Sequence, residues 1–319
     1  MTLHANASLH YRGRLAPSPT GLLHLGHART FWTAYERARA ARGTLILRNE
    51  DLDPERSRAH FVAAMLEDLR WLGIVWQEGV DVGGRFAPYA QSARRAFYLE
   101  AWRALIAAGY VYPCSCSRRD LARMASAPHE SASSASHARG APDAPEADEP
   151  LYPGTCRPAA NAPPPPRVPD TPRGLNWRFR VPDGDSIRFH DLNLGAQAFT
   201  SGRDFGDFLV WRRDDVPAYQ LACVVDDALM RVTEVVRGAD LLKSTARQLL
   251  LQRALGHASP VYFHCPVVAD EQGRRLSKRH DALSLRALRE SGVPAEQLRA
   301  RFAAEAAFGR SAVMMREML

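Results

Sequence analysis

His24 and His27 stand three residues apart at the end of the run Arg14 to His27, RLAPSPTGLLHLGH, where both imidazoles could donate to phosphate oxygens. The backbone around them suits that chemistry. Tyr11 to Leu15 can end a short strand, and Pro17 and Pro19 then stiffen a turn that neither helix nor strand could contain. Gly21 and Gly26 let the chain approach a ligand closely. From Ala28 the pattern turns helical, with Phe31, Trp32, Tyr35 and Ala38 on one apolar face. A strand, a glycine-bearing turn and a helix N-terminus form a phosphate site, because unpaired backbone N–H groups converge there with the positive end of the helix dipole. A Pro/Gly turn with two surface histidines would show the same H-x-G-H spacing, so spacing alone leaves both readings open.

A second stretch points the same way. Gly273 to Arg279 reads GRRLSKR, after an apolar, strand-like run from Pro260 to Ala269 and a turn at Asp270 to Gly273. Of the 42 basic residues only Lys243 and Lys278 are lysines. A composition that writes positive charge as Arg almost everywhere still places a Lys in this loop. A compact ammonium suits a point charge that must follow a migrating phosphate, and a planar guanidinium is not its equivalent. The plainer reading is a solvated basic loop.

Elements must position these groups. Ala28 to Arg42 reads as a helix with Gly43 as its cap, and Thr44 to Arg48 (TLILR) as a buried strand, which completes a strand–helix–strand unit. Glu50, Asp51 and Asp53 follow at the strand's carboxyl end, where such sheets bind ligands and where a carboxylate can hold a substrate ammonium. Asp53 reads instead as the N-cap of a helix beginning at Pro54. Helices near Arg58 to Leu72 and Ser92 to Ala108 carry apolar periodicity and no assigned chemistry. Arg178 to Val181, Ser186 to Leu192, Phe208 to Arg212 and Leu221 to Val225 read as strands, as does Val232 to Val236, which leads into Arg237.

Length and charge set bounds. The 319 residues can hold one large or two modest domains. The first residues lack the apolar core of a signal peptide, so a cytoplasmic, reducing location and unpaired thiols are expected. A net charge of +7 fits an RNA partner without requiring one. Cys114, Cys116 and Cys156, three of the five cysteines, flank a Ser/Ala/Pro-rich stretch from Ala125 to Pro150 that is too poor in apolar residues to fold. Such clusters in a cytosolic protein more often bind metal than form bridges, and zinc prefers four ligands. His129 and His137 are chemically suited to be the fourth, free thiols in a small subdomain are the simpler alternative, and Cys223 and Cys265 read as buried small hydrophobes.

RLAPSPTGLLHLGH and RLSKR together resemble the two signatures of class I aminoacyl-tRNA synthetases, His-Ile-Gly-His and Lys-Met-Ser-Lys-Ser. Arg48-Asn49-Glu50-Asp51 with Asp53, Tyr219 to Asp227 (YQLACVVDD) and Val232 to Leu241 (VTEVVRGADL) narrow the resemblance to the glutamyl group, in order and over most of the chain. The resemblance implies an α/β fold. Its Rossmann-like catalytic domain would occupy residues 1–109 and 200–256, interrupted by a zinc-binding insertion at 110–199 and followed by a signature-loop region and short helical C-terminus at 257–319. It implies L-glutamate and ATP as substrates, with Mg2+ as counter-ion. His24, His27 and Lys278 would be catalytic, and His24, Gly26, His27, Ser277 and Lys278 would contact ATP. Glutamate would meet Arg14, Leu15, Ala16, Pro17, Ser18, Glu50, Tyr219 and Arg237. Two guanidiniums, Arg14 and Arg237, suit a substrate with two carboxylates, because a buried Arg left unpaired by glutamine costs more than a misfit methylene.

About forty residues follow Arg279, too few for the helical anticodon-binding region with which full-length glutamyl-tRNA synthetases continue. The chain resembles instead the glutamyl-queuosine group, stand-alone catalytic paralogues that attach glutamate to the queuosine base in the anticodon of tRNA(Asp). That resemblance points to Tyr152 as the fourth zinc ligand beside Cys114, Cys116 and Cys156, and to a monomer with no membrane association. The rivals are a truncated synthetase charging a tRNA 3′ end, a non-catalytic tRNA-binding paralogue and a small nucleotidyltransferase sharing the H-x-G-H turn.

Overall fold

The computed structural model describes residues 10–117, 119–121, 151–159, 162, 168–267 and 284–305. Ser277, Lys278, His129 and His137 lie outside the described residues, as does the stretch from Ala125 to Pro150. In chain order the elements are β1 (Arg12–Leu15), α1 (Leu25–Ala40), β2 (Thr44–Leu47), α2 (Ala59–Trp71), β3 (Glu78–Gly79), α3 (Arg95–Ala107), β4 (Val111–Cys114) and β5 (Asn176–Phe179). There follow β6 (Ser186–Asp191), β7 (Gly195–Thr200), β8 (Phe208–Trp211), α4 (Tyr219–Leu229), β9 (Glu234–Gly238), α5 (Leu242–Leu255), β10 (Val261–Cys265) and α6 (Leu285–Glu290). Residues 295–305 are helical as well. The chain divides into two compact units, each described by itself.

One unit gathers Met1–Gln91, Val232–Gly238 and Cys265–Leu319. Its sheet runs β1-β2-β3, all parallel, with Arg12 to Leu15 in register with Thr44 to Leu47. The expected strand–helix–strand unit is therefore present. β9 approaches the free side of β1, where Thr233 N–H donates to the Arg12 carbonyl and Arg12 N–H to the Thr233 hydroxyl, each at 2.9 Å. Glu234, buried at the start of β9, accepts from Tyr11 and, on both carboxylate oxygens, from Nε and Nη2 of Arg37, fastening β9 to α1.

Two boundary expectations fail for local reasons. Gly43 does not cap α1; the cap is Ala41, and Arg42 takes the left-handed conformation at φ 49°. Gly43 is required instead by close approach, because a Cβ there would lie 2.5 Å from the Tyr11 ring. Asp53 does not cap a helix at Pro54 either. Residues 54–56 form one turn whose Glu55 N–H donates to Asp53 Oδ1 at 3.1 Å, and α2 starts only at Ala59. The interruption comes where Arg58 N–H donates to the Pro19 carbonyl, tying the chain to the proline turn.

The other unit comprises Ser92–Arg231 and Ala239–His264. An antiparallel sheet β4-β5-β8 packs around Trp102, whose ring meets Trp177 edge-on at 4.9 Å. β6 and β7 form a hairpin, and β10 pairs with β6 in parallel through Tyr262 and Asp191. Leu221 to Val225 was expected as a strand and is part of α4. Every residue from Gln220 to Asp227 is buried in α4, so this helix shows no polar face to betray its period. Its buried Asp226 accepts from Arg94 Nε at 2.6 Å and Tyr98 Oη at 2.8 Å.

In the first unit Asp68 on α2 is fully buried, and Arg289 of α6 approaches it to 3.5 Å. Burial raises its pKa to about 6 against the pull of Arg289 and Arg286. The native state then holds a proton that the unfolded chain releases near pH 4, so this group lowers stability as pH rises from about 4 to about 6. Asp68→Asn should therefore raise stability above pH 6, by no more than about 3 kcal/mol, with the gain vanishing below pH 4. Urea unfolding of both proteins across that range checks it; a gain independent of pH would contradict the assignment.

Candidate active site and thiol cluster

The H-x-G-H turn is built by the histidines themselves. α1 begins at Leu25, three residues earlier than the apolar pattern suggests, because His24 is its N-cap. His24 Nδ1 accepts from Gly26 N–H at 3.1 Å, and His27 Nδ1 accepts from His24 N–H at 3.4 Å. The two rings stack at 3.7 Å between centroids. A neutral imidazole that accepts at Nδ1 carries its proton on Nε2, so the capping arrangement fixes both rings as Nε2–H donors. That is the tautomer a phosphate oxygen needs, at a helix N-terminus that already favours anions.

The sheet end beside this turn is charged and buried. Arg14 and Arg237, on β1 and β9, are each 4% exposed, and Arg14 Nη1 donates to the Val236 carbonyl at 3.0 Å. The Arg14 side chain thus reaches the main chain of the residue before Arg237. Glu50 N–H donates to the Pro17 carbonyl at 3.0 Å, which lays the Arg48–Glu50 segment along the Arg14–Ser18 run. Glu50 Oε1 accepts from the buried Arg48 at 2.9 Å, taking one of the roughly four acceptor positions of a carboxylate. Leu15 and Pro17 are buried, Ala16 is half-buried and Ser18 exposed. Tyr219 is the half-buried first residue of α4 and belongs to the other unit.

The thiol cluster is assembled in that second unit. β4 ends at Cys114, and Cys116 and Cys156 bring their sulfurs within 4.8 Å of one another and of Cys114. Cys116 Sγ lies 3.6 Å from Cys156 Sγ, far beyond a disulfide, and all five cysteines are free thiols. Tyr152 Oη sits 3.4 Å from Cys114 Sγ and 3.8 Å from Cys116 Sγ, and accepts from Cys156 N–H at 2.8 Å. Thiolates about 2.3 Å from a tetrahedral ion stand roughly 3.8 Å apart, so three sulfurs and one phenol oxygen at these spacings suit one zinc ion.

Burial pushes the Cys116 thiol and the Tyr152 phenol up. Cys116 rises to about 11, and Tyr152 moves well above the usual phenol range. At Cys156 the hydrogen bonds from Tyr152 and Ser115 overcome burial and bring the thiol down to about 6. Three charged residues that sequence reasoning passed over hold these sites: Arg48 against Glu50, Glu234 behind β9, and Arg178, whose Nε donates to Cys114 Sγ at 3.4 Å. For Arg178 the local pattern misleads. The alternation of aromatic and charged residues across Trp177, Arg178 and Phe179 reads as a half-exposed strand, so that only the fold shows the charge to be buried.

Comparison with known proteins matches this arrangement to a family. The chain belongs to the class I tRNA synthetases (E and Q): the model of their catalytic domain matches residues 10–153 and 166–317. Within that class it is similar to the Glutamyl-Q tRNA(Asp) synthetase of Symbiobacterium thermophilum, 48% identical over 89% of this chain and 83% of that protein. The Glutamyl-Q tRNA(Asp) synthetase of Nitratidesulfovibrio vulgaris is 46% identical over 90% of this chain and 83% of its own length. Among solved structures, the glutamate-tRNA synthetase of Elizabethkingia anophelis superposes with a TM-score of 0.68 at 28% identity. The match covers 85% of this chain and 53% of that one, so the chain spans about half the solved protein. These findings bear out the resemblance read from the two signatures and the α/β class I fold. Among the described residues, no helix is long and apolar enough to cross a membrane.

The thiol order can be checked directly. In metal-stripped protein at pH 7, iodoacetamide should modify Cys156 before Cys114 and Cys116, because it is less buried than either and its thiol is more acidic than that of Cys116. Peptide mass mapping over a time course reads the order, and equal rates at the three sites would refute it.

Proposed function

We propose that this protein activates L-glutamate with ATP and transfers the glutamyl group to the queuosine base in the anticodon of tRNA(Asp). The observation that carries the reading is the 48% identity, over 89% of the chain, with a relative named for that enzyme. The geometry agrees with its first half-reaction. A dicarboxylate is matched by the two buried arginines, Arg14 and Arg237, and an ammonium by Glu50. A triphosphate is matched by the His24/His27 turn. Tyr219 is assigned to the glutamate pocket by its place in the YQLACVVDD segment, and Gly26, Ser277 and Lys278 to ATP by theirs.

In the mechanism, a carboxylate oxygen of glutamate attacks the α-phosphorus of ATP in line. The bond to the bridging oxygen of pyrophosphate breaks, leaving glutamyl-adenylate. His24 and His27 donate through Nε2–H to phosphate oxygens, and Lys278 balances the charge moving toward pyrophosphate. Mg2+ would accompany ATP as its counter-ion. Zinc held by Cys114, Cys116, Tyr152 and Cys156 would support the fold of that region and take no part in the chemistry. The setting is the cytoplasm, with tRNA as partner and a monomer as the working form.

The likeness to a glutamate-tRNA synthetase structure favours a second reading, charging of a tRNA 3′ end. Labelled glutamate offered with ATP to tRNA(Asp), with and without queuosine, and to tRNA(Glu) separates the two. Label on queuosine-bearing tRNA(Asp) that survives selective blocking of the 3′ end is the expected outcome. Label confined to tRNA(Glu) and lost on blocking would replace the proposal with the second reading. Lys278→Ala should lower the adenylation rate by about two orders of magnitude or more, as loss of one preorganised donor does. Glutamate-dependent pyrophosphate exchange measures it, and an unchanged rate would remove Lys278 from the mechanism.

A further inference from the structure

Arg178 is 1% exposed, and its surroundings are unusual for a buried cation. Its Nη1 donates to the Asp207 main-chain carbonyl at 2.9 Å, and its Nε donates to Cys114 Sγ at 3.4 Å. Its guanidinium carbon lies 4.0 Å from the centre of the Tyr152 ring. No carboxylate pairs with it among the described residues. The nearby Asp183 and Asp207 pair with Arg157, at 2.6 and 3.5 Å, and the Asp207 carboxylate also accepts from Tyr112 Oη and Val181 N–H. Buried charges are normally paired, and the groups that face this one are a sulfur and a phenol.

A zinc centre at the thiol cluster would supply the missing counter-charge. Three thiolates and one phenolate around a dication carry two negative charges in excess, in a region where Cys114, Cys116 and Tyr152 are all buried. We propose that Arg178 compensates this excess and holds Cys114 and Tyr152 in ligating orientation, making it the positioning residue of the zinc centre. The inference rests on the zinc reading above. A guanidinium fits the task because its edge can donate to sulfur while its face covers an aromatic ring; an ammonium cannot do both in one pose. Asp207 fixes the guanidinium in turn, since its side chain is held by Tyr112 and Val181 while its carbonyl receives Arg178.

Zinc content of the full chain, followed by competition with a fluorescent chelator, tests this. Wild-type protein should hold one zinc ion; protein prepared with zinc that holds none would overturn the zinc reading itself, and the inference with it. With zinc present, Arg178→Met should weaken binding by about 10–100-fold, the usual effect of losing a group that supports metal ligands. Arg178→Lys keeps the charge but not the two contacts, and should recover only part of that loss. In a Tyr152→Phe background, where the excess charge is smaller, Arg178→Met should cost distinctly less than in the wild-type background. Wild-type affinity in both Arg178 variants overturns the proposal. So does an equal loss in the two backgrounds, the mark of a general packing defect. If Arg178→Met fails to fold, Arg178→Lys alone and with Tyr152→Phe carries the same comparison.

Discussion

The hydrogen bond from Arg14 Nη1 to the carbonyl of Val236 ties together two strands more than two hundred residues apart in sequence. A guanidinium buried to that extent must have its donors met, and a main-chain carbonyl meets one of them without cancelling the charge. The residue after Val236 is Arg237, so the bond brings the Arg14 side chain to the stretch of β9 that carries the second buried arginine. Glu234 works from behind, anchoring β9 to α1 and β1 through Tyr11 and Arg37, so that the arginine three residues onward arrives at a fixed place.

A comparable arrangement recurs in the other unit. There a cation, Arg178, is held by a main-chain carbonyl at one end and meets sulfur and phenol at the other. Among the described residues no carboxylate pairs with Arg178, and its guanidinium faces the thiol cluster.

Much of this was readable from the sequence, for a physical reason. The phosphate turn is local: proline, glycine and histidine within fourteen residues act on their own backbone, so type and order suffice. The cysteine cluster was readable for the same reason on its Cys114–Cys116 side. Its closure by Tyr152 depends on a separate segment and came from family likeness. What escaped was long-range. α4 hides its helical period because it is buried on every side, and Gly43 looked like a cap when Tyr11 had claimed the space of its side chain. Arg48 beside Glu50 could not be weighed until the fold showed that neither reaches solvent.

The double duty of His24 and His27 bears on how their importance is measured. Each ring accepts a main-chain N–H at Nδ1 and so helps to start a helix, while the proposed function asks its Nε2 to meet phosphate. Replacement by alanine removes both at once, and a lost helix cap alone costs about 1 kcal/mol. A rate deficit in such a variant therefore adds a displaced turn to a missing donor and overstates the histidine's share of catalysis. Asparagine, a good cap with no imidazole N–H to offer, is the substitution that would leave the scaffold standing while the chemistry is withdrawn.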